Sequence, residues 1–129
     1  LLGNPELHIV NFDICSHKYA EPCINYLKSK YNVQLIKGDS LITVPKFKKT
    51  IFSAIHIDGG HGEKCAKIDL INCKRFADKN TILIFDDARG PVIKKVLEDA
   101  IKRSFIKEIN YKEYNLTDNT LHRVFNYVF

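Results

Sequence analysis

The chain has 129 residues, 45% of them apolar and 27% charged, which is enough for one domain with its own core and too little for two. That balance excludes a disordered or collagenous chain, and no apolar run approaches the ~18 residues that cross a bilayer, so neither a membrane span nor a signal peptide is expected. Twenty Lys and Arg against fifteen Asp and Glu give a net charge of +5, but the basic residues are scattered. Lys46, Lys48 and Lys49 are the densest group, so solvated faces are expected rather than a nucleic-acid track.

Short apolar strands alternate with helical patterns along the chain. Leu7–Phe12 reads as a strand closed by Asp13. Tyr19–Lys30 spaces Ile24, Leu27 and Tyr31 as a helix does, with Glu21 and Pro22 in its first turn. Val33–Ile36 is a strand closed by Gly38-Asp39-Ser40, and Ser40 can cap a short helix through about Phe47, interrupted by Pro45. Phe52–Ile57 is the clearest buried strand and ends in Asp58-Gly59-Gly60-His61. A helix is expected from about Glu63 to Phe76, then a second continuous apolar strand, Thr81–Phe85, ending in Asp86-Asp87. Pro91 opens a helix through about Lys102. Ile106–Tyr114 and His122–Phe129 alternate around the polar cluster at Thr117–Thr120 and read as an antiparallel pair at the sheet's edge. Continuous apolar strands alternating with helices predict an α/β fold, a mostly parallel sheet flanked by helices on both faces.

Cys15, Cys23, Cys65 and Cys73 show no C-x-x-C spacing, so no structural zinc site is expected and reduced thiols in a cytoplasmic setting fit best. Cys65 and Cys73, eight apart in a helical pattern, are expected to share a buried face. The chain lacks methionine and starts Leu1-Leu2, which points to a processed chain or one cut from something longer.

In an open parallel sheet, ligands bind beyond the carboxyl ends of the strands, and four successive strands here end in acidic residues. Asp13 and Asp39 are suited to accept hydrogen bonds from ribose hydroxyls or an adenine amino group. Each could instead only cap the helix that follows. Asp58, Asp86 and Asp87 end two strands expected to be neighbours. Three carboxylates in one pocket repel, so a shared cation is expected, and an all-oxygen set favours Mg2+, Mn2+ or Ca2+ over zinc. His61 stands three residues past Asp58, within reach as a further ligand or as a general base; it could also only cap the turn. Asp69 reads as structural, bonding within its helix or to a neighbouring loop.

These pieces resemble class I S-adenosylmethionine-dependent methyltransferases from about His8 to Ile109, nearest the metal-dependent small-molecule O-methyltransferase and cephalosporin-hydroxylase-like branch. Asn11-Phe12-Asp13-Ile14 resembles the acidic end of that family's second strand, which holds the cofactor ribose. Lys37-Gly38-Asp39-Ser40 resembles the G-D-S that contacts the adenine. His56-Ile57-Asp58-Gly59-Gly60-His61, with Asp69-Leu70 beyond, resembles the fourth-strand signature, and Ile82–Phe85 with Asp86-Asp87 the fifth-strand pair. The resemblance implies a Rossmann-like domain over residues 1–129, truncated at its N-terminus and without the glycine-rich first strand. That strand would stand between those starting near Leu7 and Phe52.

Two positions depart from the pattern: Glu63 replaces an aromatic and Ala88 replaces Tyr. The implied activity is S-adenosylmethionine-dependent methyl transfer to an oxygen of a small molecule, assisted by Mg2+ or Mn2+. Its implied site comprises Asp13, Gly38, Asp39 and Ser40 for the cofactor, Asp58, Asp86 and Asp87 for the metal, and His61 for catalysis. The alternative is a degenerate, non-catalytic Rossmann-like interaction module, which the missing glycine loop favours. A nucleic-acid methyltransferase would carry an Asn/Asp-Pro-Pro-Tyr-like motif after the fourth strand, and Asp58-Gly59-Gly60-His61 stands there instead. No nucleic-acid or membrane partner is expected.

Overall fold

A computed structural model describes residues 6–109 and 122–129. The chain forms two compact units, Leu1–Phe47 and Lys48–Phe129. Among the described residues it is mixed α/β, with parallel strand pairs, four helices and an antiparallel pair near the C-terminus. Among the described residues no helix is long and apolar enough to cross a membrane.

In the first unit, β1 (His8–Asp13) and β2 (Asn32–Lys37) pair in parallel, from His8 opposite Asn32 to Asp13 opposite Lys37. The crossover between them is α1 (Ala20–Lys28), which buries Ile24 and is tied to β2 by an ion pair from Glu21 to Lys37. Helix α2 (Ser40–Lys46) follows at once and ends one residue after Pro45, whose ring removes an amide donor from the last turn. The residue capping α2 is Asp39 and not Ser40. The Asp39 backbone is extended while its carboxylate accepts from the Leu41 N–H at 2.9 Å, so Ser40 becomes the first helical residue.

In the second unit the strands are β3 (Ala54–Ile57), β4 (Ile82–Phe85), β5 (Ile106–Glu108) and β6 (Arg123–Tyr127), in the order β3-β4-β6-β5. β3 and β4 are parallel, and β6 runs antiparallel to both its neighbours. Helix α3 (Glu63–Cys73), tightened into a 3-10 turn at Lys74–Phe76, and helix α4 (Pro91–Lys102) connect them. Pro91 opens α4 where the missing amide costs nothing, and the buried stripe is Ile93, Val96, Leu97 and Ala100, with helical i, i+3, i+4, i+7 spacing. It packs with Ile57, Leu70, Leu83, Phe85 and Phe125 into one core.

The antiparallel pair forms as expected, but only β5 lies at the edge. β6 lies inside the sheet because Val124 and Phe125, which point to opposite faces, are both buried, at 7% and 0% exposure. Residues 110–114 of the expected strand fall outside the described residues. Arg123 fixes the pair with a two-pronged bond to Glu108, at 2.7 and 2.6 Å, and a third bond to Glu98 at 2.8 Å. Those carboxylates hold its guanidinium firmly protonated. Among the described residues no strand pairs with the second edge of β1 or of β3, the two strands between which the sequence pattern places a further one.

Two polar groups stitch the core. The wholly buried Thr81 hydroxyl donates to the Phe52 carbonyl at 2.7 Å and accepts from the Asp78 N–H at 2.9 Å. The Tyr127 hydroxyl donates to the Leu70 carbonyl at 2.8 Å, and burial pushes its pKa up. Thr81→Val keeps the shape and leaves the half-buried Phe52 carbonyl and the Asp78 N–H without this partner, so a loss of about 1–2 kcal/mol is expected in urea unfolding. The Cys73 thiol is pushed up to about 12, first by burial and then by Asp69. A thiol with its folded pKa raised keeps its proton where the unfolded chain releases it. Stability is therefore fully present below the ordinary value of 9.0 and falls as pH rises toward about 12. Alkaline unfolding of Cys73→Ala should lose that component of the slope, and iodoacetamide should label exposed Cys23 well before Cys73.

Candidate functional site

In the second unit, parallel pairing sets Ile57 opposite Phe85, and the Asp86 N–H donates to the Ile57 carbonyl at 3.0 Å. That bond carries the ladder one step past the strands, so the residues leaving β3 and β4 emerge side by side. Asp87 then takes a left-handed backbone, φ 49°, a conformation rare for residues other than glycine but tolerated by Asp. Two bonds hold it there: the Asp87 N–H donates to Asp86 Oδ1 at 2.8 Å, and its carbonyl accepts from the Gly90 N–H at 2.8 Å.

The turn after β3 needs its glycines for space. A Cβ on Gly59 would stand 2.9 Å from Asp69 Oδ2, and one on Gly60 would stand 3.2 Å from Cys65 Sγ. Asp69 is buried on α3, where the Cys65 thiol donates to it at 3.5 Å. The Gly59-Gly60 backbone therefore lies close against Cys65 and Asp69 of α3, which explains why Asp69 follows at that distance in sequence.

Asp58, His61 and Asp87 converge, each with one ligand-type atom, all within 4.8 Å of one another. His61 Nε2 lies 2.7 Å from Asp87 Oδ2. A recess of about 10 Å3, the size of one water or one ion, is walled by Asp58, Gly59, His61, Asp86 and Asp87. Asp86 reaches this wall, but its Oδ1 also faces His122 Nε2 at 3.1 Å. Its carboxylate thus belongs to a second group, with His56 and His122. Sequence reasoning singled out neither histidine as a site residue. Only the β4–β6 pairing, which sets Phe85 opposite Arg123, brings His122 beside Asp86, and pattern along the chain carries no such information.

Both departures have a local reason. Glu63 is exposed and pairs with Lys95 of α4 at 3.2 Å. Ala88 is covered to 1% exposure, leaving no room for a ring.

In the first unit, Gly38 donates its N–H to the Asp13 carbonyl at 3.0 Å, bringing the two expected cofactor residues together. Asp13 Oδ1 accepts from the Cys15 N–H at 2.6 Å, with Cys15 left-handed at φ 56°. Gly38 has φ 140°, and a Cβ there would meet the Thr43 methyl at 3.0 Å, so glycine is required on both counts. Asp39 caps α2, and Ser40 sits in its first turn.

The sequence pattern of a family described as "Methyltransferase domain" matches residues 2–88. The chain belongs to that methyltransferase-domain family. Solved structures of the same fold include the apo form of CalS11, a TDP-rhamnose 3'-O-methyltransferase of calicheamicin biosynthesis. It has a TM-score of 0.67 and 18% identity, and the match covers 98% of this chain and 60% of that one. SAH-bound methyltransferase PaMTH1 of Podospora anserina gives 0.67 and 11% over 94% and 60%. A TehB-like SAM-dependent methyltransferase of Corynebacterium glutamicum gives 0.59 and 18% over 94% and 68%. The methyltransferase-family chain thus spans about 60% of the length of CalS11 and PaMTH1. It shares their Rossmann-like fold. No curated protein sequence matches significantly.

Gly59→Ala should cost roughly 1–3 kcal/mol in denaturant unfolding, the range for forcing a methyl into filled space. The double variant Gly59→Ala/Asp69→Ala should recover part of that loss. An unchanged midpoint for the single variant would show that Asp69 yields freely.

Proposed function

We propose that the protein transfers a methyl group from S-adenosylmethionine to an oxygen of a small molecule, aided by a divalent cation, Mg2+ or Mn2+. The observation that carries this reading is the meeting of Asp58, His61 and Asp87 within 4.8 Å at two adjacent strand ends. Two carboxylates beside an ion-sized recess, with Asp86 on its wall, fit a hard divalent cation. Family membership and the SAH-bound relative support the methyl donor. CalS11, a sugar 3'-O-methyltransferase by its description, supports an oxygen acceptor on a small molecule.

In the first unit, Asp13 is the acceptor for ribose hydroxyls: one oxygen is held by the Cys15 N–H, which leaves the other for a ligand. Gly38-Asp39-Ser40 serves the adenine, the absent Cβ of Gly38 allowing close approach to backbone and the Asp39 carboxylate accepting from an amino group.

In the second unit, Asp58 and Asp87 are the residues to hold the cation, which when bound lowers the pKa of a hydroxyl beside it. His61 is the base. His61 Nε2 lies 2.7 Å from Asp87 Oδ2; with Nε2 turned to that carboxylate, Nδ1 is the nitrogen to take the proton, and the carboxylate stabilises the imidazolium that forms. The acceptor oxygen forms its C–O bond as the C–S bond of the sulfonium breaks. The sulfonium leaves as a neutral thioether, and the hydroxyl proton goes to His61 Nδ1.

The test uses the full chain, S-adenosylmethionine and a nucleotide-linked deoxysugar, with formation of S-adenosylhomocysteine read by mass spectrometry. His61→Ala should lower kcat by about 10²–10⁴-fold while leaving S-adenosylhomocysteine affinity unchanged. Asp13→Ala should weaken that affinity about 10-fold or more. Mg2+ should raise the Tm of the wild type but not of Asp58→Ala or Asp87→Ala, and Asp58→Ala should be the more stable without metal because it relieves repulsion. Absence of calorimetric binding of S-adenosylhomocysteine would overturn the methyl-donor reading, and a Tm indifferent to Mg2+ and Mn2+ would overturn the metal.

A further inference from the structure

The second donor group differs in chemistry from the first. His56 lies on β3, Asp86 just beyond β4 and His122 just before β6, three strands that are neighbours in the sheet. Ile55 and Ile57 pack with the core under α3 and α4, so His56, between them in the strand, projects from the opposite face. Phe85 and Phe125 are core residues as well. The same alternation, in the register that sets Phe85 opposite Arg123, carries Asp86 and His122 to the face that His56 occupies.

One nitrogen of each imidazole and one Asp86 oxygen lie within 4.8 Å of one another, and the two rings stand 5.6 Å apart between centroids. Ligand atoms on a tetrahedral ion with bonds of ~2.0–2.1 Å lie about 3.3 Å apart. His122 Nε2 and Asp86 Oδ1 are already at 3.1 Å. The Asp87 N–H also donates to Asp86 Oδ1, at 2.8 Å, which fixes the orientation of that carboxylate as outer-shell donors do for metal-ligating carboxylates.

We propose that His56, Asp86 and His122 form a binding site for a first-row transition cation of the Zn2+, Co2+ or Ni2+ type. Two imidazoles and one carboxylate are a donor set such ions prefer and Mg2+ does not, because Mg2+ favours an all-oxygen shell. Three protein ligands leave a coordination position open to water or to an anionic oxygen of a ligand. The competing account of the same geometry is a His122–Asp86 ion pair, and it gives His56 no part. His56 is therefore the discriminating residue. The site stands whether or not the protein transfers methyl groups, since Asp58 and His61 take no part in it.

The test titrates the full reduced chain with Co2+, followed by visible d–d absorption and by calorimetry with Zn2+ in excess Mg2+. One equivalent should bind, unaffected by the Mg2+. His56→Ala and His122→Ala should each weaken it at least ~10-fold, and Asp58→Asn should bind as the wild type does. Melting curves of each variant without metal confirm folding, and exposed His56 is the safer substitution. No binding of Co2+ or Zn2+ by the wild type would overturn the proposal in favour of an ion pair only, and binding unchanged in His56→Ala would overturn it by placing the ion elsewhere. Binding lost in Asp58→Asn but kept in His56→Ala would place the ion on the other group and overturn it as well. Intense near-ultraviolet thiolate bands would place the ion on cysteine and overturn it too.

Discussion

The parallel register that sets Ile57 against Phe85 determines where every acidic group at this rim can stand. Parallel neighbours end on the same side, so whatever follows each strand is delivered to one place. The added bond from the Asp86 N–H to the Ile57 carbonyl extends this constraint by one residue. Asp58 and Asp86 therefore leave the sheet together. A slip of one residue would invert the faces of β4, putting Leu83 and Phe85 outside the core and Asp86 toward it. The buried side of the sheet thus guards the chemistry on its rim: the core residues Ile57, Leu83 and Phe85 hold a register on which neither donor group could compromise.

Collected carboxylates repel one another, and the fold answers with imidazoles and a change of direction. Consecutive residues Asp86 and Asp87 do not share one target. The left-handed turn at Asp87 sends its carboxylate to His61 while Asp86 faces His122. Each acid gains a histidine within hydrogen-bonding distance, and the backbone strain of the turn is met by bonds on both sides of the Asp87 peptide. Such strain persists only where surrounding structure enforces it. Here it separates two adjacent acids that a plain strand end would have left competing.

Much of this is legible along the chain. Pro91 marks the first residue of α4, and the turn residues Gly38, Gly59 and Gly60 are glycines for reasons of φ or space. Asp39 and Ser40 are both good caps and either could open α2; Asp39 takes the place. The choice rests on which backbone is extended, a fact that composition does not encode. The interior place of β6 and the histidine pair His56–His122 lie beyond sequence reasoning for one shared reason. Both depend on a strand returning from the end of the chain to lie beside β4, a pairing between residues some forty apart.

That returning strand also decides what kind of ligand each side of the rim suits. Without β6 beside β4, Asp86 would be a third oxygen donor facing the Asp58–Asp87 recess, and the rim would be a single acidic cup. With it, His122 claims Asp86 and supplies nitrogen in exchange for oxygen, drawing in His56 across the sheet. The rim divides into an oxygen-rich side toward α3 and α4 and a nitrogen-rich side on the opposite face. Under the two proposals above, hard cations with tightly held water would suit the first side and borderline cations the second. A substitution of His122 therefore acts on both sides at once, removing a nitrogen donor from one and releasing the Asp86 carboxylate to the other.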